Sequence, residues 1–293
     1  MKHGMANSLL ELMRPYQYTK NFFVFLPAFF AFKLNDPHLM LQTFIAFAAF
    51  SLAASGGYVF NDLKDHAEDR LHPEKKHRPI ASGRIGIPLA LPLMIGLLTA
   101  GIALMAFVSL EACRILIFYL VLNTAYTLKL KRIPIVDIAV ISTGFVLRLL
   151  VGSAVTQIEL SHWIIVMTFL LSLFLSLAKR RDDVIIYLKT DQSMRKAAEG
   201  YNLKFLDNAM IMSASIVVLA YILWSISPQV VETLGSDSLY LTSVFVVLGV
   251  LRYMQIAFVE EKSGNPSRIL LKDRFVQLVL IGWVGSFIWI LYL

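Results

Sequence analysis

The sequence predicts an all-α integral membrane protein with nine transmembrane helices, and three observations carry that prediction. First, 57% of the 293 residues are hydrophobic and only 16% are charged, whereas soluble domains carry about 25% charged residues. Second, the apolar residues come in long blocks rather than at amphipathic spacing. A helix needs roughly 20 such residues to cross about 30 Å of hydrocarbon, and the mean hydropathy of +0.67 is in keeping with this. Third, lysine and arginine alternate from one connection to the next, as the cytoplasmic bias of basic residues requires.

The nine spans are expected at about 21–35, 39–60, 87–109, 111–128, 134–156, 161–179, 206–227, 239–259 and 271–292. The first has a short apolar run, interrupted by Pro27 and Lys33. It reads as a span rather than a signal peptide, because polar Arg14–Asn21 precedes it and eight further spans follow. Connections 35–39, 109–111, 156–161 and 227–239 hold almost no Lys or Arg, with Lys33 and Arg114 just beside two of them. The N-terminal segment and connections 61–86, 129–133, 180–205 and 260–270 hold nearly all the rest. This alternation puts the basic loops, the N-terminus and the active site in the cytoplasm and the C-terminus outside, in a multi-pass protein of the cell (inner or plasma) membrane. The net charge of +7 is thereby a topology signal, and no nucleic-acid module is indicated. One cysteine, Cys113, excludes an intramolecular disulfide and a cysteine-based metal site. The chain is expected to be one domain, 1–293, with a homo-oligomer left open.

Loops 61–86 and 180–205 are each about 25 residues, and long loops on one face of a bundle are where chemistry concentrates. The second span runs into Asn61-Asp-Leu-Lys-Asp-His-Ala-Glu-Asp69. If its helix continues past the membrane surface, Asp62, Asp65 and Asp69 recur at i, i+3 and i+7 on one face. Three converging carboxylates repel one another unless a cation sits among them. Hard oxygen ligands select Mg²⁺, or Mn²⁺, which takes further ligands from a substrate phosphate. Lys75, Lys76, Arg78 and Arg84 follow directly. Carboxylates beside cations suit a substrate with several phosphates, partly neutralised by metal and partly by side chains. Topology accounts for a basic loop but does not call for carboxylates at this spacing. His66, His72 and His77 match no zinc pattern.

Two charges lie inside an expected span. Asp137 and Arg148 are eleven residues apart, about three turns, so they share a face about 16 Å apart and do not pair. A charge in a span must face the bundle interior or a wet cavity, so both are expected to look into one polar chamber, Asp137 at its mouth and Arg148 deeper. Tyr126 ends the fourth span as an interfacial aromatic or a ligand. Arg252 lies near enough to the cytoplasmic face to snorkel. Leu9–Tyr18 and 183–204 mix apolar and polar positions as interfacial helices do.

Asn61-Asp-x-x-Asp65-x-x-x-Asp69, followed by Arg78-Pro-Ile-Ala-Ser-Gly83, resembles the first aspartate-rich motif of the UbiA superfamily of intramembrane prenyltransferases. Within it, the chain resembles the decaprenyl-phosphate phosphoribosyltransferase branch over nearly its whole length. The likeness is carried by Arg14-Pro-Tyr-Gln-Tyr-Thr-Lys-Asn21, His72–Gly83, Asp137–Gly152 with Gly144-Phe-Val-Leu-Arg148, Ala178-Lys-Arg180 and Asn265–Arg274. The superfamily's aromatic prenyltransferases resemble one another in a second Asp-x-x-x-Asp motif between spans six and seven. Here that loop reads Lys179-Arg-Arg-Asp-Asp-Val-Ile-Ile-Tyr-Leu-Lys-Thr-Asp191. Asp182, Asp183 and Asp191 do not make the spacing, and three cations lead the loop.

The resemblance implies transfer of 5-phosphoribose from phosphoribosyl diphosphate to a polyprenyl phosphate, with release of diphosphate. Asn61, Asp62, Asp65 and Asp69 would hold Mg²⁺, and Lys75, Lys76 and Arg78 the donor's phosphates. Lys20 beside Asn21, together with Lys179 and Arg180, would meet the acceptor phosphate, with Arg148 as a further candidate. The rival within the superfamily moves an isoprenoid from its diphosphate to an aromatic or other acceptor, and the missing second motif counts against it. A transporter is disfavoured because no inverted repeat or paired broken helices are visible.

Overall fold

The computed structural model describes residues 4–31, 33–71, 75–190, 200–234 and 236–292, and among them there are helices and turns but no strand. The helices are α1 (Met5–Met13), α2 (Leu26–Phe30), α3 (Pro37–Leu71), α4 (Ile87–Val108), α5 (Leu110–Leu128) and α6 (Val136–Thr156). They are followed by α7 (His162–Thr190), α8 (Leu203–Ser225), α9 (Pro228–Leu234), α10 (Ser243–Phe258), α11 (Pro266–Lys272) and α12 (Arg274–Tyr292). A 3₁₀ segment, Pro15–Phe25, joins α1 to α2.

Among the described residues seven helices are long and apolar enough to cross a membrane: Pro37–Leu71, Ile87–Val108, Leu110–Leu128, Val136–Thr156, His162–Lys189, Leu203–Ser225 and Ser238–Phe258. They coincide with seven of the nine expected spans. The ninth expected span corresponds to the shorter apolar stretch Arg274–Ile290. The first is not one α-helix. Pro15 disfavours the right-handed helical region at residue 14, Arg14 adopts φ 56°, and the chain re-enters as the 3₁₀ segment and then α2, with Pro27 in its first turn. The expected interfacial helix at 183–204 also differs, since α7 continues through to Thr190 without a break. Residues 191–199, Asp191 among them, lie outside the described residues, as does His72.

Contacts divide the chain into two compact units, one from the N-terminus to Lys131 with Gly144–Leu160, the other Arg132–Thr143 with Ser161 to the C-terminus. In the first, α3 buries a run of small residues, Ala46, Ala49, Ala53, Ala54, Ser55, Gly56 and Gly57. Small residues let helix backbones approach closely, which is how helices associate without a hydrophobic drive in lipid. Gly101 of α4 sits so near α3 that a Cβ there would lie 2.7 Å from Ala49 O and 2.8 Å from Ala53 N. At Gly152 of α6 the approach is closer still, with an added Cβ 2.1 Å from Val24 O of the 3₁₀ segment.

In the second unit, α7, α8 and α10 enclose Phe174, Leu177, Leu206, Met210 and Tyr253. Arg181 fastens them, donating to Asp207 at 2.7 Å and to the Ala257 carbonyl at 2.6 Å. Arg252 of α10 donates to Asp273 at 2.6 Å, where Asp273 also accepts from Val276 N at the start of α12.

Candidate active site

At about 1.5 Å per residue, the 35 residues of α3 make a helix about 52 Å long, well over the hydrocarbon thickness of about 30 Å. The excess is its charged end, which carries Asn61, Asp62, Asp65 and Asp69. The sequence expectation that this helix continues is met. Asp62 and Asp69 are buried, Asp65 and Asn61 half-buried, and Asn61 Oδ1 accepts a long bond of 3.4 Å from Thr127.

The turn after α3 brings the first cation in. Ser82 N and Oγ both donate to the Arg78 carbonyl at 2.8 Å, and Gly83 takes φ 76°, a conformation that favours glycine. Ile80, Ala81 and Ile85 are buried, and Ile80 and Ile85 pack with Leu12 of α1 and Val59 of α3. These contacts hold Arg78 over α3, where its Nη1 donates to Asp69 at 2.7 Å and to Asp62 at 3.1 Å. The i, i+7 relation of the two carboxylates is thus closed by one guanidinium.

Two further cations complete the cluster, and sequence reasoning assigned neither to it. Arg14, at the break between α1 and the 3₁₀ segment, donates to Asp62 Oδ1. Burial pulls its guanidinium down, but the attraction of Asp62 outweighs this and holds its pKa above the ordinary arginine value. Lys131, buried in the 129–133 connection, reaches both oxygens of Asp65 at 2.6 Å. Arg14 was visible only as part of a resembling stretch, and Lys131 only as one of several basic residues that topology explains. Asp62 Oδ2 is buried and has no hydrogen-bond partner. Among the described residues no three metal-ligating side chains converge on one point, because each carboxylate is turned to a cation.

The other predicted residues fall in distinct surroundings. Lys75 is half-buried and Lys76 exposed, on a 3₁₀ turn at Lys75–His77. Lys20 is half-buried on the 3₁₀ segment, and Tyr126 half-buried near the end of α5. Asn21 is buried and donates to Ser51 at 2.9 Å. Arg148, 4% exposed, donates to Asn21 Oδ1 at 2.8 Å, Gly144 O at 2.6 Å and Tyr119 OH at 3.1 Å. Its guanidinium also lies over the rings of Phe50, Tyr119 and Phe145. It has no carboxylate partner among the described residues, so the charge is held by neutral oxygens and aromatic faces. Asp137 is fully buried and accepts from Arg180 and from the Tyr201 hydroxyl, each at 2.7 Å. Arg180 also donates to Asp183 at 2.6 Å, while its neighbour Lys179 is exposed. Asp137 and Arg148 therefore do not pair, as their spacing predicted. Tyr201 was missed: its hydroxyl accepts from Ile135 N at 2.6 Å, and burial and its bond to Asp137 raise its pKa.

Chemically, the first unit presents carboxylate oxygens on a rigid helix with guanidinium and ammonium groups interleaved, a donor set for a metal-bound polyphosphate. A model of the UbiA prenyltransferase family matches residues 21–289. The chain is 29% identical over 295 residues to a decaprenyl-phosphate phosphoribosyltransferase of Corynebacterium glutamicum, covering 99% of this chain and 88% of that one. It is 30% identical over 289 residues to the decaprenyl-phosphate phosphoribosyltransferase of Mycobacterium tuberculosis, covering 97% and 94%. A UbiA homolog from Archaeoglobus fulgidus, solved with GPP and Mg²⁺, shares the fold with a TM-score of 0.70 at 17% identity, over 98% of this chain and 100% of that one.

Proposed function

The chain belongs to the UbiA prenyltransferase family, and from that premise we propose that it is a Mg²⁺-dependent phosphoribosyltransferase. It moves 5-phosphoribose from phosphoribosyl diphosphate to a polyprenyl phosphate of the decaprenyl type and releases diphosphate. The observation that carries this reading is the likeness to decaprenyl-phosphate phosphoribosyltransferases over nearly the full length of both chains. The interleaved carboxylates and cations of α3 and its neighbours support it.

The residues present fit a divalent metal: Asp62 Oδ2 is a buried acceptor with no donor, beside hard oxygen ligands on the same helix face. Asn61, Asp62, Asp65 and Asp69 would hold Mg²⁺ (or Mn²⁺), which would neutralise the charge that builds on the departing diphosphate. Lys75, Lys76 and Arg78 bind the donor's phosphates. Lys20, Lys179 and Arg180 meet the acceptor phosphate, Arg180 by exchanging one of the carboxylates it now holds, and Arg148 holds Asn21 beside Lys20. Tyr126 and Asp137 border the substrates. The acceptor phosphate is ionised at neutral pH, so no strong general base is required. Breaking the anomeric bond leaves an oxocarbenium-like ribose, which needs orientation and charge stabilisation. In-line attack inverts the anomeric centre, and a product with retained configuration would sink the mechanism.

On this reading 1–293 acts as one catalytic domain with nine crossings of the cell membrane, its chamber and N-terminus cytoplasmic. Eleven 3₁₀ residues and five α-helical ones extend about 30 Å at roughly 2.0 and 1.5 Å each, enough for Pro15–Phe30 to supply the first crossing. Arg274–Tyr292 supplies the last.

The test is incubation of purified protein with Mg²⁺, phosphoribosyl diphosphate and a polyprenyl phosphate, with the phosphoribosylated lipid read by mass spectrometry beside an Asp65→Ala control. Product that needs both Mg²⁺ and Asp65 is expected. Its absence, with turnover of a prenyl diphosphate and an aromatic acceptor instead, overturns the phosphoribosyl reading in favour of the prenyltransferase one.

A further inference from the structure

We propose that the α3 site takes a divalent cation and a diphosphate as a coupled pair, because Arg14, Arg78 and Lys131 compete with the metal for the carboxylates and pass to the diphosphate when it arrives. The proposal rests on the metal–diphosphate reading above and goes beyond it by giving three cations, two of them unassigned by sequence, a role in the order of binding.

The charge count comes first. Three carboxylates, Asp62, Asp65 and Asp69, are matched by three cations, Arg14, Arg78 and Lys131, so the formal charge of the cluster is zero. The carboxylates and Lys131 are well shielded from solvent, Arg14 and Arg78 less so at 16% and 24% side-chain exposure. Side-chain exposure is 2% for Asp62 and 6% for Asp69, and 15% for Asp65 against 9% for Lys131. A divalent cation entering alone meets no net negative charge, and it must strip Lys131 to take Asp65, both of whose oxygens that ammonium holds. The stripped cation would be left beside the metal in a poorly hydrated place, which is strongly unfavourable. A diphosphate entering with the metal removes that obstacle, since its several negative charges give all three cations a new partner.

The mounting of the groups suits such an exchange. All three carboxylates stand on one uninterrupted helix, α3, so their spacing is fixed. The three cations come from three separate non-α connections. Arg14 sits at the αL break before the 3₁₀ segment, Arg78 on the turn ending at Gly83, and Lys131 on the 3₁₀ turn Leu130–Arg132. A long side chain on a connection can swing to a new anion by rotamer change while the helix keeps the ligand oxygens in register. Asp62 shows the division on a single carboxylate, with Oδ1 taking both Arg14 and Arg78 and buried Oδ2 taking nothing. One oxygen is the cations' and the other is open to a metal.

The linkage is measured as protein-bound manganese by equilibrium dialysis of the detergent-solubilised full chain. Free Mn²⁺ is clamped by a metal buffer, so that complexation by diphosphate in solution does not alter it. Saturating inorganic diphosphate is expected to raise Mn²⁺ affinity at least about tenfold, and saturating Mn²⁺ to raise diphosphate affinity by the same factor, as linkage demands. Lys131→Gln frees Asp65, so it is expected to bind Mn²⁺ alone more tightly than the wild type and to show a smaller enhancement by diphosphate. Equal Mn²⁺ affinity with and without diphosphate in the wild-type protein overturns the coupling and leaves the metal–diphosphate site standing. No Mn²⁺ bound under either condition overturns both. A Lys131→Gln protein whose affinity for Mn²⁺ alone is unchanged or lower overturns the competition. The wild-type comparison decides the question even if that variant fails to fold.

Discussion

Replacing Arg148 tests whether its charge belongs to the architecture, and the structure sets the size and order of the effects. Arg148→Met keeps much of the length and removes the charge. Three donated bonds go, to Asn21, Gly144 O and Tyr119 OH, at about 1.5–3 kcal/mol for each bond from a charged donor. Most of this is offset, because methionine no longer suffers the several kcal/mol of burying an ion. The Gly144 carbonyl lies within α6, so helical bonding still serves it. What remains are Asn21 Oδ1, buried without a donor, and the Tyr119 hydroxyl, deprived of its guanidinium partner, for a net loss of about 1–3 kcal/mol. Arg148→Lys behaves differently. One ammonium cannot span three acceptors on three elements, and its charge stays buried with fewer partners, for a loss of about 3–5 kcal/mol. The charge-conserving replacement is therefore expected to be the more damaging one. At roughly 2 °C per kcal/mol for a chain of this size, apparent melting temperatures in one detergent, followed by tryptophan fluorescence, should fall by about 2–6 °C for methionine and further for lysine. A lysine variant as stable as the wild type, or more stable than the methionine variant, would refute this account of a charge held by neutral oxygens and ring faces.

Gly152→Ala should displace the 3₁₀ segment, since its Cβ would lie 2.1 Å from Val24 O. A stability loss of about 1–3 kcal/mol and a raised KM for the lipid acceptor are expected, and an unchanged KM would detach Lys20 from the acceptor site. Asp273 supplies a pH dependence. Its bond from Arg252 lowers its pKa below the usual carboxylate value, so its stabilisation is full above about pH 4 and is lost as pH falls through the lowered folded value. The gap in melting temperature between the wild type and Asp273→Asn should be constant near neutrality and close below about pH 4; a gap that does not vary with pH contradicts the pairing.

Periodicity made one half of the candidate site readable in advance. Asp62, Asp65 and Asp69 needed only the helix repeat, and Arg78 stood in the basic stretch directly after them. Seven spans were equally open to reading, because a long apolar block has one way to meet lipid. The other two cations that neutralise the carboxylates were not legible. Arg14 and Lys131 reach α3 across 48 and 66 residues of sequence, and where a long side chain on a connection comes to rest depends on the path of that connection. The partners of Arg148 were hidden for another reason. Asn21 lies on a 3₁₀ segment, whose three-residue turn does not follow the α-helical phase used to assign faces. Tyr201 shows the same limit, since nothing near it in sequence announces Asp137, 64 residues away.

The uninterrupted course of α3 also bears on how this sequence can diverge. Deleting one residue anywhere between Pro37 and Phe60 would draw the carboxylates about 1.5 Å along the axis and turn them by about 100°. Asp65 would leave Lys131, and Asp62 and Asp69 would no longer face Arg78. Substitution along this stretch costs packing at one position, whereas a change of length removes the whole ligand face at once. Insertions and deletions among descendants of this chain should therefore collect outside α3, where a connection can absorb them without rotating the ligand face.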